Sequence, residues 1–139
     1  MTTSFRPFVG WFLLAALLSH ATFAQSESDT EIRMRLVGQW QEQRSVPCEE
    51  YKQRIHLHKD GTFKVNGTIV ACDGTTPFVW QGTWHIKNGK FSYITTYSNV
   101  PTQFPIGESF EDQVISVTDR EWIMIEQSTG KKSIATRVK

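Results

Sequence analysis

The sequence predicts an all-β chain: eight short antiparallel strands wound up and down into a closed or nearly closed barrel, behind a short N-terminal helical lead-in. Three observations predict it. Runs rich in β-branched and aromatic residues recur at close intervals, over 37–45, 51–58, 62–70, 78–86, 90–97, 110–118, 122–127 and 133–138. Several joints between them are brief and turn-forming: Asp60-Gly61, Asp73-Gly74, Asn88-Gly89, Thr118-Asp119 and Thr129-Gly130. No window beyond Arg35 keeps an apolar helical stripe for long. Hairpin-linked neighbours of this number remove their exposed edges by closing on themselves, although an open sandwich satisfies the same pattern.

At the N-terminal end, Arg6 precedes an apolar run of about 11 residues over 8–18, followed by small or weakly polar residues ending in Thr22-Phe23-Ala24. A charged, then apolar, then cleavable order is that of a secretory signal, and the run is too short for the ~20-residue helix that crosses a bilayer. Residues 1–24 are therefore expected to be removed, and the product to be soluble and secreted or periplasmic. No cysteine follows the expected cut, so a lipid anchor is not expected either. Residues 25–35 read as a polar lead-in, disordered at first, in which Ser28-Asp29-Thr30-Glu31 opens a short turn of helix through Arg35. Residues 36–139 form the barrel domain. Loss of Arg6 takes the 15 basic residues to 14, against 14 acidic ones. The mature chain then has no net formal charge with histidine neutral, and nothing steers it toward nucleic acid or an anionic membrane.

The hairpin around Asp60 sets its own register. Pairing at i + j = 120 places Leu57 against Phe63, Ile55 against Val65 and Tyr51 against Ile69 on one face. His58, His56, Arg54 and Lys52 then face Thr62, Lys64, Asn66 and Thr68 on the other. A slip of one residue would oppose Leu57 to Lys64 and destroy the alternation. The same register brings Cys48 opposite Cys72, and these are the chain's only 2 cysteines. A structural disulfide is expected in an oxidising compartment, worth ~3 kcal/mol through the loop it closes. A redox pair or half of a metal site would need a CxxC spacing or further ligands, and the sequence has neither.

Aromatic residues mark the interior. Phe78, Trp80, Trp84 and Ile86 share a strand face with Gly82, and Phe91, Tyr93 and Tyr97 share a face of the next strand. With these faces inward, the barrel is lined by Trp40, Phe63, Trp80, Trp84, Phe91, Tyr93 and Tyr97. Two readings follow: the rings fill the interior as plain core, or they wall a cavity for a small apolar or amphipathic molecule. The hydroxyls of Tyr93 and Tyr97 need partners inside, which favours a site of some polar character. On the second reading the ligand-binding residues are Phe63, Trp80, Trp84, Phe91, Tyr93 and Tyr97.

The segment 96–107 is the longest connection and carries Val100, Phe104 and Ile106 with two prolines. It is either a lid or partner-binding loop, or a crossing that tucks Phe104 over the core. Catalysis has little support. His56 and His58 fall on the polar face of their hairpin and His85 on an outward face; two histidines do not make a zinc site. No nucleophile elbow, phosphate-cradling glycine loop or HExxH helix occurs. Neither an enzyme, a metal nor a cofactor is expected. Asn66-Gly67-Thr68 is an outward-facing glycosylation sequon, of consequence only in a eukaryotic secretory pathway.

Gly38-x-Trp40 in the first strand after a helical lead-in, the meander of about eight strands, and Arg137 in the last strand together resemble the lipocalin-like, or calycin, barrels. The resemblance implies an up-and-down barrel whose Trp40 sits at the closed end with Arg137 packed across its ring, and a small-ligand function by analogy. The chain departs from it in being short and in having no helix after the barrel. Leu36-Val37-Gly38-Gln39-Trp40, followed by Cys48, also resembles the opening strand of bacterial secreted inhibitors of serralysin-type metalloproteases, likewise barrels with a signal peptide and one disulfide. That resemblance implies a function ahead of Leu36, in a segment here longer and more charged than such a plug. The leading expectation is a secreted or periplasmic binding protein for a small apolar or amphipathic ligand. The alternative is an interaction or inhibitor protein acting through the N-terminal arm or the 96–107 loop.

Overall fold

One helix and eight strands make up the described residues, 27–139, of the computed structural model. The signal expected over 1–24 lies outside the described residues. Helix α1 (Asp29–Leu36) begins where the sequence supplies a cap. Ser28 Oγ accepts from the Glu31 N–H, and the Glu31 carboxylate accepts from the Ser28 N–H at 2.9 Å, which satisfies two donors that a helix start leaves unpaired. The helix buries Ile32 and Leu36. Its polar side chains tie it down. Arg33 donates to the Lys59 carbonyl, Arg35 to the Val117 carbonyl, and the Asp29 carboxylate accepts from the N–H groups of Asn88 and Gly89. The free arm implied by the inhibitor resemblance is thus, over Asp29–Leu36, a helix folded under one end of the barrel.

The strands are β1 (Gly38–Val46), β2 (Glu49–Leu57), β3 (Thr62–Ala71), β4 (Gly74–Lys87), β5 (Lys90–Ser98), β6 (Ser109–Val117), β7 (Glu121–Glu126) and β8 (Lys132–Arg137). Each pairs antiparallel with the next, and β8 returns to β1 through Trp40↔Arg137, Gln41↔Thr136 and Glu42↔Ala135. The barrel is closed, not an open sandwich. The β2–β3 register is the one its alternation demands, with Leu57↔Phe63, Ile55↔Val65 and Tyr51↔Ile69. Helix α1 meets the turns between β2 and β3, β4 and β5, and β6 and β7, so that end is shut. The other four connections surround the opposite end.

Trp40 organises the shut end. It is fully buried, its Nε1 donates to the Leu36 carbonyl at 2.7 Å, and its ring meets Trp122 edge-on at 5.9 Å. The Arg137 guanidinium lies 4.1 Å from the Trp40 ring centroid and donates to the carbonyls of Val37, Asp119 and Arg35. Gly38, at φ 133°, is what lets it pass: a Cβ there would stand 2.7 Å from the guanidinium.

Two expectations fail. Cys48 and Cys72 lie close enough for a thiol–thiol hydrogen bond, but they are free and exposed, not bridged. Regular pairing stops one step short of them, at Glu49↔Ala71, and Cys48 leaves the strand at φ 64°, so the cross-strand geometry that the register extrapolates to is absent. Tyr97 is 49% exposed and points outward. A bulge between Gln81 and Gly82 pairs Gly82 with Thr95 and Gln81 with Tyr97, leaving Thr96 as an extra residue on β5. Beyond it the facing reverses, so Thr95 and Ser98 are buried and Tyr97 is not. Gly82 is required at that point, because a Cβ would lie 1.9 Å from the Ile94 carbonyl oxygen.

Candidate ligand-binding cavity

Inward positions on a barrel strand come from every second residue, so alternate side chains of each strand line the interior. At the shut end Leu36, Trp40, Leu57, Trp84 and Trp122 are buried together. Toward the other end the inward side chains leave a cavity of about 570 Å³. Its apolar wall carries Ile55 and Leu57 from β2, Phe63 and Val65 from β3, Trp80 from β4 and Phe91 from β5, with Met124 across from them on β7. The rings brace one another: Phe63 meets Trp80 edge-on at 4.9 Å, and Tyr93 lies 5.8 Å from Trp80 and 5.4 Å from Phe110. Phe104, from the β5–β6 connection, stacks flat on Trp80 at 4.8 Å and an interplanar angle of 6°. Gln103 and Pro105 beside it, and Gln127, Ser128 and Thr129 of the β7–β8 turn, frame the mouth.

The remaining wall is charged. Glu42 and Arg44 follow Trp40 on the inward face of β1, and Asp112 and Glu126 face inward from β6 and β7. The Arg44 guanidinium bridges Glu42, at 3.1 Å, and Glu126. Glu42 also accepts from Gln53 Nε2 at 2.7 Å and from the Ser133 hydroxyl, which leaves it fully engaged. Burial works against the charge on Arg44, yet Glu42 and Glu126 outweigh it and hold the guanidinium above its ordinary pKa. Asp112 is treated differently. Burial, with the neighbouring Glu126 and Glu42 charges, pushes its carboxyl up to about 6 against the help of the Gln127 N–H and Arg44. Burial chiefly, with Asp112 and Glu126 behind it, also raises the Tyr93 phenol and keeps it neutral.

Of the residues singled out in the sequence, Phe63, Trp80, Phe91 and Tyr93 stand together on this wall. Trp84 does not. It is buried at the shut end, where Nε1 donates to the Thr62 carbonyl at 3.0 Å, Phe91 stacks against it at 5.8 Å and Arg33 lies over its ring. Tyr97 is outside the barrel. Phe104 turns both descriptions of the 96–107 loop into one, since it covers core rings and does so at the cavity mouth. The charged wall escaped the sequence reading, although following the parity of Trp40 forward along β1 leads directly to Glu42 and Arg44. His56 and His58 lie 3.9 Å apart with their rings tilted by 38°, away from the cavity, and burial together with the neighbouring imidazole lowers the His56 pKa. Among the described residues no group of three or more His, Cys, Asp or Glu side chains is arranged to hold a metal ion.

No protein-family model matches the sequence, and no curated protein matches it. Solved structures do. A lipocalin-like protein from Bacteroides uniformis is 20% identical over 75% of this chain and 99% of its own, with a TM-score of 0.51. An uncharacterized protein from Bacteroides eggerthii is 15% identical over 73% of this chain and 98% of its own, with a TM-score of 0.48. The first likeness is one of fold, and it agrees with the closed eight-stranded meander. By fold, this chain is a lipocalin-like barrel.

Proposed function

We propose that the protein is a secreted or periplasmic binding protein that holds a small apolar or amphipathic molecule inside its barrel. The observation that carries this reading is the cavity itself: about 570 Å³ of space within a small barrel. A solid interior would have removed it. The walls are of the kind that bind such molecules, broad rings with a few polar groups, and the Trp80 Nε1–H is buried without a hydrogen-bond partner among the described residues. Export rests on the order of residues 1–24.

Titration of the mature protein with an apolar fluorophore, read by its emission and by quenching of the indoles, tests the reading. Saturable binding at one site is expected, weakened at least about tenfold by Trp80→Ala through lost contact area. Absence of saturable binding for every apolar and amphipathic probe would overturn it. Native mass spectrometry of freshly purified protein should then show the natural occupant as a defined added mass.

A further inference from the structure

The charged wall is unbalanced, and the imbalance points to the kind of molecule the cavity takes. Glu42, Glu111, Asp112 and Glu126 all line it, whereas Arg44 is the single basic side chain among the described residues that does. Glu111 is exposed and paired with Lys90 at 3.2 Å. Arg44 is shared between Glu42 and Glu126. Asp112 is left over. It is 8% exposed, its Oδ1 accepts only the Gln127 N–H at a long 3.3 Å, and its other oxygen meets no donor among the described residues. A buried carboxylate in this condition is costly unless a cation or strong donor joins it.

Polarity also changes with depth. Strand β1 runs from the shut end to the mouth, so Arg44 and, at the end of β7, Glu126 lie toward the opening, whereas Leu57 and Phe91 adjoin turns at the shut end; Asp112 pairs with Phe91 on one side and Glu126 on the other. The space is therefore apolar at its floor and acidic higher up on one side. We infer that the cavity selects an amphipathic cation, a molecule with an apolar body and a protonated amine or guanidinium head, seated tail first with its head against Asp112 and Glu126. This rests on the ligand-binding reading above and narrows it. The head would satisfy the vacant Asp112 oxygen and offset the excess negative charge. An anionic head would meet three carboxylates with Arg44 already engaged twice. Midway along the body, the Trp80 Nε1–H and the Tyr93 hydroxyl, neither hydrogen-bonded among the described residues, are placed to meet one further polar atom.

The test uses three probes of one chain length, decylamine, decanol and decanoate, titrated calorimetrically into the mature protein. Decylamine is expected to bind about tenfold or more tightly than decanol, and decanoate more weakly than either. Asp112→Asn should remove about tenfold of the decylamine affinity and narrow its margin over decanol. Asp112 is faced by Glu42 and Arg44 from β1, Tyr93 from β5 and Glu126 from β7. Protonating it leaves a weaker field, so decylamine affinity should fall between about pH 7.5 and about pH 5 while decanol affinity holds. Equal affinity for amine and alcohol, or tighter binding of decanoate, would overturn the inference and leave the binding reading standing. No binding of any of the three would overturn the inference, and the binding reading with it only if the apolar fluorophores also fail to bind. A decylamine preference that survives Asp112→Asn would remove Asp112 from the site. The three-probe comparison on the unaltered protein needs no variant to fold.

Discussion

Asp112 is the residue on which stability and the proposed binding of a cation pull in opposite directions. Its carboxyl titrates at about 6 in the fold against 3.8 ordinarily, so between those values the folded chain holds the proton more tightly than the unfolded one. The stability that protonation brings is complete below about pH 4 and is lost as pH rises through about 6. Ionised Asp112 thus costs the empty fold on the order of 2–3 kcal/mol at neutral pH. Asp112→Asn should raise unfolding stability by roughly that amount near pH 8 and by little near pH 4, as measured by urea denaturation of variant against parent. The cysteines behave in the contrary way. Because both are free and exposed, the double change Cys48→Ser, Cys72→Ser should shift stability by no more than about 0.5 kcal/mol in the same assay. At this scale the aromatic wall was legible and the charged one was not. In Gln39-Trp40-Gln41-Glu42-Gln43-Arg44 a single apolar residue sets the parity, and an inward Glu42 or Arg44 looks the same as a solvated one until the barrel around it is closed.

Among the elements, α1 is small but bound at both levels, by its own cap and by its docking. Ser28→Ala should cost about 1 kcal/mol, since it strands the Glu31 N–H, and Leu36→Ala about 3 kcal/mol, since the leucine is fully buried. Thermal unfolding followed by circular dichroism would rank them. The short helix was legible because Ser28 and Glu31 stand three apart. The bulge in β5 was not: Phe91, Tyr93 and Tyr97 keep a perfect alternation in the sequence, and only the pairing partner shows where an extra residue enters. Gly82 is its sole local mark. Gly82→Ala should destabilise by ~3 kcal/mol or more, or prevent folding, because the new methyl meets backbone and not a movable side chain.

The molecule as a whole is held by its closure. Hairpins are local and their turns announce them, so the β2–β3 register could be read to the residue. The β1–β8 seam joins opposite ends of the chain through three residue pairs, and no local pattern encodes it; the paired occurrence of Gly38-x-Trp40 and Arg137 does. Arg137 is correspondingly hard to replace. Arg137→Lys keeps the charge but loses the planar fork that reaches the Val37, Asp119 and Arg35 carbonyls while lying on Trp40, and should cost about 1–3 kcal/mol by urea denaturation.

With α1 sealing the far end, the barrel is blind. If a molecule enters as proposed, the solvent it displaces would leave past it, through the mouth that Phe104 borders. Girth then governs exchange, whereas the wall area covered governs affinity. Two occupants of equal buried area but different cross-section should share a Kd and differ by one common factor in their rates of arrival and departure, the slimmer being faster in both.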